Sequence, residues 1–93
     1  MLIGTAQITL YAPWVHSLKE KRMVVRSICA KVRNTFNVSI AEVDAQDPHQ
    51  RIVLGFACVA GDTAMADSMI ENILNFIESH FEGEAVHIIK ELR

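Results

Sequence analysis

The run His16-Ser17-Leu18-Lys19-Glu20-Lys21-Arg22 decides the fold, because it starts a helix that lies between two stretches with the period of β-strands. Ser17 followed three residues later by Glu20 fits the capping box, in which both side chains satisfy N–H groups at a helix N-terminus. Asn34 and Asn37 are the predicted exit residues. Between cap and exit, apolar residues recur at helical spacing and predict one buried stripe: Leu18, Val25, Ile28, Cys29, Val32 and Phe36.

The stretch before this helix predicts a strand. From Leu2 to Tyr11 the sequence alternates with period two, which places successive side chains on opposite faces of a sheet. Gly4 and Ala6 are small and share one face, so a helix is expected to pack closely over them. Pro13 ends the strand because it has no N–H to donate.

The stretch after the helix predicts two more strands joined by a turn. Val38 to Ala45 forms the second strand, and a slip in its alternation predicts a β-bulge near Ile40–Ala41. Residues 46–50 have turn chemistry. Arg51 to Ala60 is apolar on both faces, which indicates either burial on both faces or contact with a partner.

The remaining residues predict a second helix and a last strand. Asp62 is the expected N-cap, Gly83 the expected stop, and Glu84 to Leu92 the strand. The order β-α-β-β-α-β predicts an α+β fold of the ferredoxin-like type. We expect one domain over residues 1–93, with both helices on one face of an antiparallel sheet of strand order 4-1-3-2.

Charge is distributed unevenly along the chain. The 93 residues carry a net charge of −2, yet six of the nine Lys+Arg lie between Lys19 and Arg33. At about 100° per residue, four of them fall along one side of the first helix, and we call them the basic flank: Lys19, Arg22, Arg26 and Arg33. A local concentration of cations leaves nucleic-acid binding open although the net charge is negative.

Cysteine usage and hydropathy predict a cytoplasmic protein. Cys29 and Cys58 lack metal or redox spacing, and two buried thiols in a reducing compartment are favoured over a disulfide. The N-terminal run is broken by polar residues and lacks a basic leader, so no signal peptide is expected. No apolar stretch is long enough to cross a bilayer, and no membrane partner is expected.

Two runs of this sequence resemble the YlxP-like family of small bacterial proteins, a domain of unknown function. The first is Ser17-Leu18-Lys19-Glu20-Lys21-Arg22, and the second is Phe36-Asn37-Val38-Ser39 continued by Ala41-Glu42-Val43. The resemblance extends over nearly the whole chain and implies a ferredoxin-like fold. The family has no established activity, but its genes often lie beside genes for translation initiation and ribosome maturation. This context implies a role near the ribosome.

The leading functional hypothesis is a non-enzymatic accessory protein that binds RNA or a ribosomal component; DNA is not expected. Cations beside the first turn of a helix are disfavoured by its dipole, and a bound anion offsets that cost. The expected phosphate contacts are Lys19, Lys21, Arg22, Arg26 and Arg33, with Gln46, Gln50 and Arg51 of the hairpin in second place. A solvated basic surface paired with Glu20 and nearby acids is the competing interpretation.

The alternative hypothesis is a homo-oligomeric or small-ligand-binding module that uses the open sheet face. The third strand only partly matches the RNA-recognition-motif pattern, and only Phe56 could stack on a base, so that surface is rejected. An apolar face fits a dimer better. Its predicted interface residues are Ile3, Leu54, Phe56 and Ile89.

Catalytic and metal-binding patterns are weak in this sequence. There is no nucleophile elbow, phosphate loop, dinucleotide fingerprint or metalloprotease motif, so no enzymatic activity and no cofactor are expected. An acylphosphatase-like site would need an arginine in the loop 12–16, which has none. Histidines gather near one end of the predicted domain, but their spacing does not favour a metal site over solvated loops: His16, His49, His80 and His87.

Overall fold

The computed structural model describes residues 1–44 and 49–93, and its elements follow the predicted order. The strands are β1 (Leu2–Tyr11), β2 (Ser39–Asp44), β3 (Arg51–Ala60) and β4 (Glu84–Leu92), and the helices are α1 (Leu18–Thr35) and α2 (Thr63–Ser79). All strand pairs are antiparallel, in the order β2-β3-β1-β4. This is the predicted ferredoxin-like βαββαβ sandwich.

The core lies between the helices and one face of the sheet. Ile8 of β1 pairs with Leu54 of β3, and their buried side chains meet the inner residues of both helices. Gly4 allows the close packing that its size predicts, because a Cβ there would lie 3.0 Å from Ile70 Cδ1 of α2. Burial of this apolar layer is the main stabilising contribution to the fold.

The prediction that Leu54 and Phe56 lie on the open sheet face is wrong. Their side chains are only 0% and 4% exposed, and both belong to the helix-covered core. Because β3 is apolar on both faces, alternation alone does not show which of its residues face the helices. The phase is set by pairing with β1, where Phe56 lies opposite Ala6. Ile3 and Ile89 have the other phase and lie exposed on the open face.

The bulge in β2 is also displaced from its predicted position. Pairing with β3 is regular from Ser39 through Glu42, and the register shifts between Glu42 and Asp44, which makes Val43 the extra residue. The predicted position was wrong because Glu42 faces the helices, as Ile40 does, and a carboxylate is not expected on that face. The predicted end of the strand at Ala45 lies outside the described residues.

The cysteines are free and buried, as predicted. Burial raises the pKa of both the Cys29 and the Cys58 thiol, although the Arg33 guanidinium opposes this effect at Cys29. Neutral thiols are poor nucleophiles, so these side chains act as small apolar core residues. None of the helices among the described residues is long and apolar enough to cross a membrane.

Candidate nucleic-acid interface

The N-terminus of α1 is capped as predicted. Ser17 Oγ accepts a hydrogen bond from the Glu20 backbone N–H at 3.1 Å and lies 3.3 Å from Glu20 Oε1, to which it donates. The Glu20 carboxylate therefore contacts the cap instead of neighbouring cations. The competing interpretation, in which Glu20 pairs with the basic side chains, finds no such contact in the described part of the chain.

Three members of the basic flank are exposed and have no acidic partner among the described residues. Lys19, Arg22 and Arg26 point away from the core, and across residues 1–44 and 49–93 no carboxylate lies within ion-pair distance of them. Their spacing of three and four residues separates them along the helix axis by about 4.5 and 6 Å. Solvent-facing cations at this spacing can each meet a separate phosphate group.

Arg33 is the fourth member of the basic flank and has a structural contact. Its Nη2 donates a 2.9 Å hydrogen bond to the carbonyl oxygen of Ile40 in β2. This bond satisfies an outward-pointing carbonyl on the edge of the sheet. It also shows that the basic flank runs along the side of α1 that lies next to β2.

The prediction that Lys21 contacts phosphate is wrong. Its side chain is 1% exposed, and its Nζ lies 3.1 Å from Glu42 Oε2. That carboxylate oxygen is buried without a well-directed hydrogen bond, so the contact is an ion pair. The sequence signal for this burial is the spacing of Lys21, which lies four and seven residues before Val25 and Ile28. This spacing places Lys21 within the apolar stripe of the helix.

Two of the three predicted hairpin contacts, Gln50 and Arg51, lie in the described part of the chain. The Gln50 side-chain Nε2 donates to the Val15 carbonyl at 2.7 Å, and its backbone oxygen accepts from Ala12 at the same distance. Gln50 thus anchors the loop after β1. Arg51 pairs with Tyr11 on the sheet face away from the helices. Gln46, the third predicted hairpin contact, lies outside the described residues.

The open sheet face carries a shallow groove of about 320 Å³. Its floor consists of small residues, including Ala41, Gly55 and Ala57, and the bulged Val43 leans over it. A Cβ on Gly55 would lie 2.7 Å from Val43 Cγ1, so a larger residue there would force the Val43 side chain to move. Phe56 is buried on the opposite face, so it cannot stack on a base at the open face.

Sequence comparison assigns the chain to a family. The model of the family described as "Protein of unknown function (DUF503)" matches residues 3–89. The chain belongs to the DUF503 family. It is 39% identical over 83 residues to the "Uncharacterized protein YlxP" of Bacillus subtilis (strain 168), an alignment that covers 89% of this chain and 90% of that protein. The expected YlxP-like resemblance is therefore confirmed.

Comparison with solved structures supports the fold of this DUF503 chain. A de novo designed protein with a ferredoxin fold, solved by solution NMR, superposes with a TM-score of 0.63 at 19% identity. The match covers 100% of this chain and 86% of the designed one. At this identity the likeness concerns the fold alone and says nothing about activity.

The histidines of the DUF503 chain have separate surroundings. His80 ends α2, where its ring stacks on Phe76 with 4.0 Å between centroids and its Nδ1 lies 2.9 Å from the Phe76 carbonyl oxygen. His87 lies on β4, opposite Thr9. No group of three or more His, Cys, Asp or Glu side chains suited to a metal ion occurs in the described part of the chain. The rings of Trp14 and Phe81 also contact each other, with 5.5 Å between their centroids, and the sequence did not predict this contact.

Proposed function

We propose that this DUF503 protein is a non-enzymatic accessory protein that binds the phosphate backbone of RNA through the basic flank of α1. The observation that carries this proposal is the exposure of Lys19, Arg22 and Arg26 without acidic partners in residues 1–44 and 49–93. Surface cations are commonly balanced by neighbouring acids, and an unbalanced row attracts polyanions. A ribosomal RNA partner is favoured by the gene context that the family resemblance implies.

The charge distribution supports a polyanionic ligand. Seven of the eleven Asp+Glu lie from Asp62 onward, in α2, β4 and the segments around them, whereas six of the nine Lys+Arg belong to α1. Lys19 and Arg22 also stand near the positive end of the α1 dipole, which costs up to about 1 kcal/mol each. A phosphate near this helix end would offset that cost and would contact both the side chains and the helix terminus.

Each cation has a distinct role in this proposal. Lys19, Arg22 and Arg26 contact phosphates, while Arg33 links the end of the basic flank to the edge of β2. Lys21 holds α1 on the sheet through Glu42 and does not contact RNA. Arg51 lies on the other face of the sheet and is outside this contact surface.

The proposed mode of binding is electrostatic and tolerant of base sequence. Sequence-specific recognition of single-stranded RNA relies on aromatic platforms and on hydrogen bonds to base edges. The basic flank consists of lysine and arginine side chains on a helix surface, with no aromatic residue among its members. We therefore expect strong salt dependence and similar affinity for RNAs of different sequence.

The test is a binding titration of a ribosomal RNA fragment with a triple variant, Lys19→Gln, Arg22→Gln and Arg26→Gln. We expect the affinity to fall by about tenfold or more, because three exposed charge pairs at about 0.5–1 kcal/mol each are lost. A matched control removes three cations elsewhere: Lys31→Gln, Lys90→Gln and Arg93→Gln. Equal loss in both triple variants would show that only net charge matters and would contradict the proposal.

A second candidate function rests on the open sheet face. Ile3, Val59 and Ile89 are exposed there beside the groove, which supports a homo-oligomeric or small-ligand-binding module. In this case the basic flank would be a solvated surface. Val59→Lys places a charge directly opposite Ile3 within the exposed apolar group, and light scattering at high protein concentration would then show loss of any face-to-face dimer. An unchanged mass would contradict the homo-oligomeric form of this candidate.

A further inference from the structure

The two edges of the sheet differ in how they are protected. The β2 edge is six residues long, contains a bulge at Val43, and has its Ile40 carbonyl bonded by Arg33. The β4 edge is nine residues long and exposed throughout. Short length, bulges and covering side chains are the usual protection against edge-to-edge pairing. The β2 edge has all three, whereas β4 has only a register shift near its start.

Lys90 does not protect the β4 edge in the way a lysine often does. Its ammonium group contacts Glu71 of α2, so the side chain lies over the helix face of the sheet. The neighbouring exposed side chains are apolar on both faces: Ile88 toward the helices and Ile89 on the open face. The sequence of β4 contains no proline. The edge therefore has the features of a strand that pairs with another strand.

The backbone of β4 has free hydrogen-bonding groups on this edge. Arg93 and Ile3 exchange both backbone hydrogen bonds, at 2.8 and 3.1 Å, which makes them a hydrogen-bonded pair. In an antiparallel ladder such pairs alternate with non-hydrogen-bonded ones. Counting back along the register, Ile88, Lys90 and Leu92 direct their N–H and C=O groups away from β1. Within residues 1–44 and 49–93, no backbone group outside the strands bonds them.

We infer that this edge pairs with the same edge of a second copy of the chain. The two β4 strands run antiparallel about a two-fold axis at Ile89, and the two sheets become one sheet of eight strands. In this register Ile88 of each copy forms a hydrogen-bonded pair with Lys90 of the other. Ile89 faces Ile89 of the second copy at a non-hydrogen-bonded position, where side chains approach most closely.

Charge complementarity selects this register. With the axis at Ile89, His87 lies opposite Glu91 of the second copy on the open face, and its imidazole can hydrogen-bond the carboxylate. With the axis at Lys90, the two lysines would occupy directly opposite positions, and like charges at opposite positions are destabilising. With the axis at Ile88, His87 would lie opposite Ile89 and Glu91 opposite Ala85, so neither polar side chain would gain a partner.

This dimer leaves the proposed RNA surface exposed. The basic flank lies beside β2, at the other end of the sheet order from β4. Each dimer would present two basic flanks at its two ends, and both could bind one RNA chain. The dimer does not depend on the RNA proposal, because its contacts involve β4 alone.

The first test is the mass of the wild-type protein across a wide concentration range. The interface is small, so we expect a reversible dimer that dissociates on dilution. Lys90→Pro removes an outward N–H without removing a bond to β1, and should weaken association by about thirtyfold through two symmetry-related hydrogen bonds. Circular dichroism checks that the strand remains folded. Val59→Lys, on the open face but away from the edge, should leave association unchanged.

The second test fixes the register and also traps a weak dimer. Ile89→Cys places two thiols at a facing non-hydrogen-bonded pair, where the Cα separation of about 4.5 Å suits a disulfide. Mild oxidation should give a covalent dimer with this variant and not with Gln7→Cys, which lies opposite Ile89 on the open face but one strand away from the edge. The buried Cys29 and Cys58 should stay reduced. A monomer at every concentration, no cross-link at position 89, or equal cross-linking at position 7 would each overturn the proposal.

Discussion

Lys21 and Glu42 carry opposite charges between α1 and β2, with their side chains 1% and 18% exposed. Removing such charges from water costs several kcal/mol per ion, and their attraction offsets this only while both are present. The pair explains two features of the chain together. Lysine occurs within an apolar helix stripe, and glutamate takes the inward position of an edge strand.

Breaking this pair should destabilise the protein more than removing it altogether. Glu42→Leu leaves a buried ammonium group unpaired and should lower the free energy of unfolding by about 3 kcal/mol or more. The double variant Lys21→Met, Glu42→Leu should recover most of that loss, because no buried charge remains. Urea denaturation measures both. A double variant that is no more stable than Glu42→Leu would contradict the ion-pair account.

Gly83 is a position where the absence of a side chain decides the local packing. Helix α2 ends at Ser79 with His80 as its cap residue, so Gly83 is not the helix stop that the sequence predicts. It lies instead against β1, where a Cβ would be 2.0 Å from the Tyr11 carbonyl oxygen. Backbone cannot move aside as a flexible side chain can, and only glycine fits there.

Gly83→Ala should therefore be strongly destabilising. The added methyl group would force β1 and the start of β4 apart, at a cost of about 2 kcal/mol or more. Gly61→Ala is the matched control, because a Cβ at Gly61 meets nothing within 4 Å. Thermal unfolding of the two variants gives the comparison, and equal melting temperatures would show that the close approach to Tyr11 is not limiting.

At the scale of the element, α1 combines three functions on different sides. Its cap fixes where the helix begins, its inner stripe packs on the sheet, and its basic flank faces solvent beside β2. The sequence predicts the cap and the flank, because both depend on local spacing. It does not predict the role of Lys21, because that role depends on a carboxylate that the fold brings from β2.

The cap makes a prediction that is independent of the basic flank. Ser17→Ala removes the oxygen that accepts from the Glu20 N–H and should lower stability by about 1 kcal/mol. Ser27→Ala, at an exposed position within the same helix, should change it by less than about 0.5 kcal/mol. The same urea experiment separates the two. Equal effects would mean that the Ser17 side chain contributes little as a cap.

The strands show where local pattern fails as a predictor. The period of β1 is clear because its two faces differ in polarity, and the face of each side chain follows from it. β3 is apolar on both faces, so Leu54 and Phe56 cannot be placed until the pairing with β1 is known. In β2 the inward Glu42 hides the true position of the bulge. Strand order and helix placement were nevertheless predictable, because they follow from element order and handedness.

At the scale of the molecule, charge and edge protection are both asymmetric. The basic flank of α1 lies at the β2 side, where the sheet edge is short and partly covered. The long exposed edge of β4 lies at the other side. The match to the DUF503 family model confirms the predicted family. RNA binding and self-association are proposals, and they depend on these two separate surfaces.

The salt dependence of RNA binding tests the central proposal most directly. Affinity for a single-stranded ribosomal RNA fragment is measured over a range of salt concentrations for the wild type and for Lys19→Gln, Arg22→Gln, Arg26→Gln. Each phosphate contact contributes about −0.7 to the slope of log affinity against log salt. We predict that the variant's slope is shallower by about two, and an unchanged slope would contradict phosphate binding by the basic flank.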